Sequence, residues 1–113
     1  MKAYAVAHLR DVSMGPEIVA YLERIDATLA PFGGRFLIHG GRPDVLEGAF
    51  AGDLVVVAFP DRERARAWYA SPAYAAIKAL RTENSRGDVI LIDGVPEDPV
   101  SYTHLTLPTN REV

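Results

Sequence analysis

Short apolar runs alternate along the chain with longer amphipathic stretches. Four runs rich in β-branched, aromatic or small apolar residues predict strands, at residues 3–9, 35–39, 54–59 and 89–92. The first run is apolar on both of its faces, which predicts a strand at the centre of a sheet. The second run is followed by Gly40-Gly41, where we expect a bulge or a close backbone approach, and a continuation through Val45-Leu46.

Helical periodicity occupies the stretches between the first two strands and between the last two. The first helix is expected to begin at Pro16, a favourable first-turn residue, and to end before Gly33-Gly34. The second is expected after the potential cap Asp61, with an interruption and a new cap at Ser71-Pro72. The predicted buried stripe of the first helix consists of Ile18, Leu22, Ile25 and Leu29. The order β-α-β-β-α-β predicts a ferredoxin-like α+β fold.

That topology brings four polar residues to one rim of the sheet. The first two strands run parallel with the third between them, so His8, His39, Asp53 and Asp88 lie at neighbouring strand ends. Imidazole and carboxylate groups suit zinc or iron. However, an intervening strand keeps the two histidine backbones about 9–10 Å apart, and neither histidine belongs to a local ligand motif. We therefore predict no metal site and interpret these residues as solvating the strand ends.

Strict alternation along the second strand separates its polar from its apolar side chains. It predicts Arg35, Leu37 and His39 on one face and Phe36 and Ile38 on the other. Phe36 and Ile38 suit a core packed against helices. Arg35 and His39 are therefore expected together on the opposite face, where a ligand could meet both of them.

The candidate site consists of the polar residues around this strand. Arginine can hold a carboxylate by two parallel hydrogen bonds, and a histidine–glutamate pair can move a proton. His39 and Glu47 are accordingly the candidate catalytic residues. The candidate ligand-binding residues are Arg35, His39, Glu47, Tyr4, His8 and Arg81. Two alternatives stay open: Arg35 forms an ion pair across a dimer, and Glu47 simply ends a strand.

Aromatic residues on the second helical stretch also allow two interpretations. Trp68 and Tyr74 lie at helical spacing, which favours anchors of the core. Together with Tyr4 and Tyr69 they could instead line an aromatic pocket.

Composition narrows the class of protein. The chain has 113 residues, 49% of them hydrophobic, with a formal net charge of −3 and no cysteine. A length of this order suits one domain, and the absence of cysteine excludes disulfides and thiolate chemistry. Basic residues form no cluster, so nucleic acid is not an expected partner. No apolar run approaches the roughly 20 residues of a membrane helix, and a cytoplasmic location is expected.

Several motifs resemble the domain-of-unknown-function 1330 family over about residues 1–98. They are Phe32-Gly-Gly-Arg-Phe-Leu-Ile-His-Gly-Gly-Arg42, the following Leu46-Glu-Gly48, Phe59-Pro60 and Trp68-Tyr-Ala-Ser-Pro-Ala-Tyr74. The resemblance implies a dimeric α+β barrel, in which two four-stranded sheets pack face to face with the helices outside. It carries over no activity and no cofactor. The sequence departs from the family at His39, where many members have arginine.

Residues 99–113 are expected to be a non-native or disordered tail after a domain at 1–98. The segment from Val100 to Thr109 resembles a translated transposon-type sequencing adapter, and it lacks any periodicity that continues the domain. The alternative is a genuine extended tail that pairs with a partner subunit.

The sequence therefore predicts a homodimer that binds a small organic molecule, for which an anion is one option. Arg35 and His39 would orient that molecule in a cleft beside the sheet, and no cofactor is expected. One sheet face is expected to be apolar, which favours the dimer; its residues are Tyr4, Val6, Leu54 and Val56. Two alternatives stay open: a cofactor-independent isomerase, decarboxylase or oxygenase, and a structural or interaction protein with a filled barrel.

Overall fold

The predicted order of elements is confirmed by the computed structural model, which describes residues 1–96. The strands are β1 (Ala3–Arg10), β2 (Arg35–His39), β3 (Asp53–Phe59) and β4 (Arg86–Asp93), and the helices are α1 (Pro16–Leu29), α2 (Arg62–Tyr69) and α3 (Pro72–Thr82). In this part of the chain, no helix combines the length and apolar character needed to cross a bilayer. The predicted tail at 99–113 lies outside the described residues.

Local sequence signals place the helix boundaries. Asp61 and Ser71 cap α2 and α3, with side chains that accept hydrogen bonds from the backbone N–H of Arg64 and Tyr74 at 2.8 and 3.2 Å. After α1 a short 3-10 turn leads to Gly33, whose φ of 72° is in the left-handed region that glycine favours. The break between α2 and α3 therefore follows from the predicted serine–proline cap.

The four strands form one sheet in the order β2-β3-β1-β4, with every neighbouring pair antiparallel. This is the ferredoxin-like α+β arrangement that the sequence predicts. We call the side that packs on the helices the helix face; its buried members include Ala5, Val57 and Phe59. We call the other side the open face. Its larger apolar residues are Tyr4, Val6, Ile38, Leu54, Val56, Ile90 and Ile92.

A β-bulge in β2 overturns the predicted assignment of its faces. Phe36 pairs with Val57, whereas Ile38 pairs with Val56, so Leu37 is one extra residue on this strand. The extra residue reverses the alternation beyond it. His39 therefore lies with Phe36 on the helix face, while Ile38 lies with Arg35 on the open face. The prediction that Arg35 and His39 share a face is wrong.

Residues 40–52 form a loop, and the predicted strand through Val45-Leu46 is absent from it. The end of this 40–52 loop is held against the open face by His8. His8 Nε2 donates to the Ala51 carbonyl oxygen at 2.6 Å, and its ring stacks on Phe50 with centroids 4.6 Å apart. Glu47 lies within this loop and does not end a strand.

The core lies between the helix face and the three helices. Trp68 and Tyr74 are 4% and 2% exposed, which confirms their interpretation as core anchors. The Trp68 indole N–H is paired with Thr28 Oγ1 at 2.9 Å, so this buried donor is satisfied. On α1 the buried stripe uses Tyr21 in place of the predicted Leu22, which is 40% exposed.

Replacing Gly34 by alanine should destabilise the protein by about 1–3 kcal/mol. A Cβ there would lie 2.7 Å from a ring carbon of Phe59 and 2.9 Å from a methyl of Leu29, and both side chains are only 1% exposed. Gly15→Ala is the matched control, because no atom lies within 4 Å of its added Cβ. Urea denaturation of both variants tests this, and equal midpoints would contradict the tight packing at Gly34.

Candidate functional site

A cavity of about 340 Å³ lies between the helix face and the helices α1 and α3. Its floor is formed by small and β-branched side chains of the sheet, such as Ala7, Val55 and Val89. Ile18 and Ile25 of α1 contribute to the opposite wall. A volume of this size falls in the range of small-molecule sites, which are mostly apolar with a few placed polar groups.

The polar groups of the cavity include a hydrogen-bonded chain from α3 to α1. Arg81 Nε donates to Tyr74 Oη at 3.3 Å, and Tyr74 Oη is 2.7 Å from Tyr21 Oη. The helices bring these residues together because Tyr74 and Arg81 are two turns apart on α3, and α3 packs beside α1. All three side chains line the cavity.

Arg81 is a buried cation without a carboxylate partner among residues 1–96. It is 7% exposed, and the salt bridges of the described chain involve other arginines. Burial alone would lower its pKa, but the phenol oxygens of Tyr74 and Tyr21 outweigh burial and raise the pKa of Arg81 above its usual value. The guanidinium therefore stays charged beside the cavity.

Tyr21 contributes a neutral hydroxyl to this hydrogen-bonded series of side chains. Burial, reinforced by the neighbouring Tyr74, raises the pKa of the Tyr21 phenol well above its usual value. Such a hydroxyl can donate or accept a hydrogen bond throughout the physiological pH range. The site thus combines one permanent positive charge and two phenol groups with a mostly apolar wall that also carries His39, Asp53 and Ser85.

His39 enters the same cavity from the edge strand β2. Its ring stacks on Phe36, with centroids 4.1 Å apart and planes 1° from parallel. Within residues 1–96 the imidazole has no hydrogen-bond partner. Since His39 is exposed, both ring nitrogens are open to water as well as to a bound molecule.

The other predicted site residues lie away from this cavity. Arg35, Tyr4 and His8 are on the open face, and Glu47 lines a separate hollow under the 40–52 loop. Of the six ligand-binding candidates, only His39 and Arg81 line the cavity. The sequence suggested that His39 acts with Arg35 or Glu47, but the fold separates His39 from both residues.

The four predicted rim residues do share one end of the sheet, but they divide between its two faces. His8 and Asp88 lie opposite each other on neighbouring strands, on the open face. The Asp88 carboxylate accepts a hydrogen bond from the Arg10 guanidinium at 3.4 Å. His39 and Asp53 are on the helix face and line the cavity. Opposite faces separate the two pairs, so the four side chains do not form one cluster.

Sequence reasoning missed the hydroxyls of Tyr21 and Tyr74 as parts of a site. One signal was present on α3, where Tyr74, Ile77 and Arg81 form a single helical stripe. A charge on an otherwise apolar stripe predicts a buried polar contact. The partner Tyr21 could be found only from the packing of α1 on α3.

A protein-family model, the domain of unknown function DUF1330, matches residues 2–95. The chain belongs to the DUF1330 family. This confirms the family resemblance that the sequence analysis described over about residues 1–98. None of the curated proteins matches the chain by sequence.

Solved structures similar to this DUF1330 protein share its ferredoxin-like fold at low sequence identity. The RPA0582 protein of unknown function from Rhodopseudomonas palustris is 14% identical, with a TM-score of 0.62 over 87% of this chain and 84% of that one. A dimeric ferredoxin-like protein of unknown function from Jannaschia sp. CCS1 is 12% identical, with a TM-score of 0.59 over 83% and 100%. SnoaB, a cofactor-independent oxygenase from Streptomyces nogalater, is 16% identical, with a TM-score of 0.59 over 87% and 97%.

Proposed function

We propose that this DUF1330 protein is a homodimer that binds a small organic anion in the cavity between its sheet and its helices. The observation that carries the proposal is Arg81, a buried guanidinium beside the cavity with no carboxylate partner among the described residues. A desolvated charge is costly unless it is paired. An anionic ligand supplies the missing charge, and the Tyr21 and Tyr74 hydroxyls supply further hydrogen bonds.

The open face supports the homodimer. Ile38, Ile90 and Ile92 are 42–52% exposed and lie beside Val6 and Val56, which makes a continuous apolar surface across all four strands. Surfaces of this kind mark protein interfaces. The similar protein from Jannaschia sp. CCS1 is dimeric. Arg35 lies on this face, which fits the alternative that it pairs across the dimer.

Cofactor-independent catalysis on the bound anion is a second candidate. SnoaB, a cofactor-independent oxygenase, has the same fold, and the cavity places His39 and two phenols around one volume. This second candidate rests on fold analogy, because unrelated functions share this fold. Turnover of a bound aromatic acid that is lost in His39→Ala would favour the enzyme over the binding protein. The cavity itself favours both hypotheses over a purely structural role.

Replacing Arg81 by methionine should abolish the preference of the cavity for anions. In the unmodified protein, 2-naphthoate should bind about 10- to 100-fold more tightly than neutral 2-naphthylmethanol, since a hydrogen bond to a charged group contributes about 1.5–3 kcal/mol. In Arg81→Met the two compounds should bind equally. Without ligand the variant should melt at no lower temperature, because it removes an unpaired buried charge. Isothermal titration calorimetry and thermal unfolding measure both effects.

Arg24→Met is the matched control, since it removes the same charge from an exposed position of α1. It should leave the affinity for 2-naphthoate unchanged. If Arg81→Met kept the anion preference, or if the unmodified protein bound 2-naphthylmethanol as tightly as 2-naphthoate, the anion-binding function would be wrong.

A further inference from the structure

The 40–52 loop exposes large apolar side chains. Every residue from 41 to 53 is exposed. The exposed fraction is 91% for Leu46, 47% for Val45 and 39% for Phe50. Single exposed apolar residues are ordinary on a protein surface, but a group of them marks an interaction site. The loop therefore presents an apolar surface that the other residues of the described chain leave uncovered.

This loop lies on the same side of the sheet as the open face. Two open-face residues, Ile38 and Leu54, line the hollow under it. The loop residues Leu46 and Phe50 line the same hollow. Phe50 also stacks on His8, which belongs to the open face. The exposed apolar side chains of the loop are thus continuous with the apolar surface of the sheet.

Both ends of the loop are fixed to the sheet. The Gly40 N–H donates to the Leu54 carbonyl oxygen at 2.9 Å, which extends the pairing of β2 with β3 by one residue. At the other end Gly52 has a φ of 105°, and a Cβ added there would overlap the Leu9 carbonyl oxygen. A loop that is held at both ends loses less conformational freedom when a partner packs on it.

Face-to-face packing of two sheets brings this loop close to a partner. Stacked sheets lie about 10 Å apart. Because the loop shares one hollow with Ile38 and Leu54, a second sheet that covers these two residues at that distance also covers the loop beside them. In a two-fold dimer both protomers use the same surface patch, so each loop meets the partner in the same way.

We propose that the 40–52 loop is part of the dimer interface, in which a second copy of this chain closes the hollow and buries Leu46. This inference rests on the proposed function, because it takes the open face as the surface that dimerises. It adds a contact outside the sheet, made by a segment that belongs to no strand or helix. The exposed leucine and the hollow beneath it are thereby assigned to one partner, the other protomer.

The dissociation constant of the dimer tests this loop contact. Leu46→Asp should raise it at least about a hundredfold, because two leucines lose their apolar contacts and two carboxylates are buried in their place. Leu46→Ala, which adds no charge, should raise it about tenfold. Val19→Asp is the matched control, since it adds a carboxylate on α1 and should leave the constant unchanged. Analytical ultracentrifugation over a dilution series measures all four proteins, and an unchanged constant in Leu46→Asp would overturn the proposal.

A single thiol reports directly whether position 46 is covered. The chain contains no cysteine, so Leu46→Cys introduces one reactive group. A maleimide should label it about tenfold more slowly in the dimer than in monomers made by adding Val56→Asp on the open face, because a covered thiol is protected from the reagent. Val19→Cys should react equally fast in both backgrounds. Equal rates for Leu46→Cys would contradict the loop contact, and slow labelling in the monomer would contradict it too, by showing that the loop closes on its own chain.

Failure of the loop contact can be told apart from failure of the proposed function. Leu46 is not among the residues that line the cavity, so 2-naphthoate should bind Leu46→Asp as tightly as it binds the unmodified protein. If Leu46→Asp dimerises normally while the unmodified protein is a dimer and binds 2-naphthoate, only the loop contact is wrong. If the unmodified protein is a monomer at micromolar concentration, the homodimer and the loop contact are both wrong, and Arg81→Met still tests anion binding.

Discussion

Replacing Val56 by aspartate should convert the proposed dimer into folded monomers. Val56 lies on the central strand β3, in an apolar row of the open face with Ile38, Val6 and Ile90. In a face-to-face dimer the variant buries one unpaired carboxylate from each protomer. A buried charge without a partner costs at least about 4 kcal/mol, or roughly a thousandfold in the dissociation constant. Light scattering at micromolar concentration should report a dimer for the unmodified protein and a monomer for Val56→Asp.

Val19→Asp is the control for a new charge at an apolar position. Val19 is on α1 and is 43% exposed, so a carboxylate there meets water in monomer and dimer alike. This variant should remain dimeric. A monomeric unmodified protein would contradict the homodimer, and a dimeric Val56→Asp would show that another surface forms the interface.

The elements of the fold could be predicted because their signals are local. Pro16 and Ser71-Pro72 mark helix starts within a few residues, and a left-handed Gly33 follows the end of α1. The apolar run of β3 is short and β-branched, which favours a strand. Such signals depend on the neighbouring chain alone, so the order of elements and the ferredoxin-like topology follow from them.

The face of His39 could not be predicted, because it depends on one residue of register. The run Phe36-Leu37-Ile38 is uniformly apolar and contains nothing that distinguishes a bulge from regular pairing. The bulge is visible only when β2 is paired with β3. One unpaired residue then moved His39 to the helix face and separated it from Arg35.

Only part of the site could be predicted from the sequence, for a related reason. The charge of Arg81 made this residue a candidate. The hydrogen bonds that position its side chain run through Tyr74 to Tyr21, which is on a different helix. Contacts between helices are set by packing across the core. Sequence periodicity predicts which stripe is buried but does not say which residues of two stripes meet.

Replacing Trp68 by alanine should cost about 3–5 kcal/mol of unfolding free energy. The indole is 4% exposed and packs against Phe59 and Tyr74, with ring centroids 5.5 and 4.3 Å away. A loss of this size is a large share of the 5–15 kcal/mol that stabilises an ordinary domain. Urea denaturation followed by far-UV circular dichroism measures it, at one protomer concentration because a dimer's stability depends on concentration.

The indole N–H gives a second, separable part of this effect. Thr28→Val removes the Oγ1 that accepts from Trp68 at 2.9 Å, and an unpaired buried N–H costs about 1–3 kcal/mol. The same hydroxyl donates to the Ile25 carbonyl, so part of the loss does not involve tryptophan. In a Trp68→Phe background only that second part remains, and Thr28→Val should cost clearly less there. If Thr28→Val costs the same in both backgrounds, the hydrogen bond to Trp68 contributes nothing. If Trp68→Ala lowers the free energy of unfolding by less than about 1 kcal/mol, the ring is not the anchor of this core.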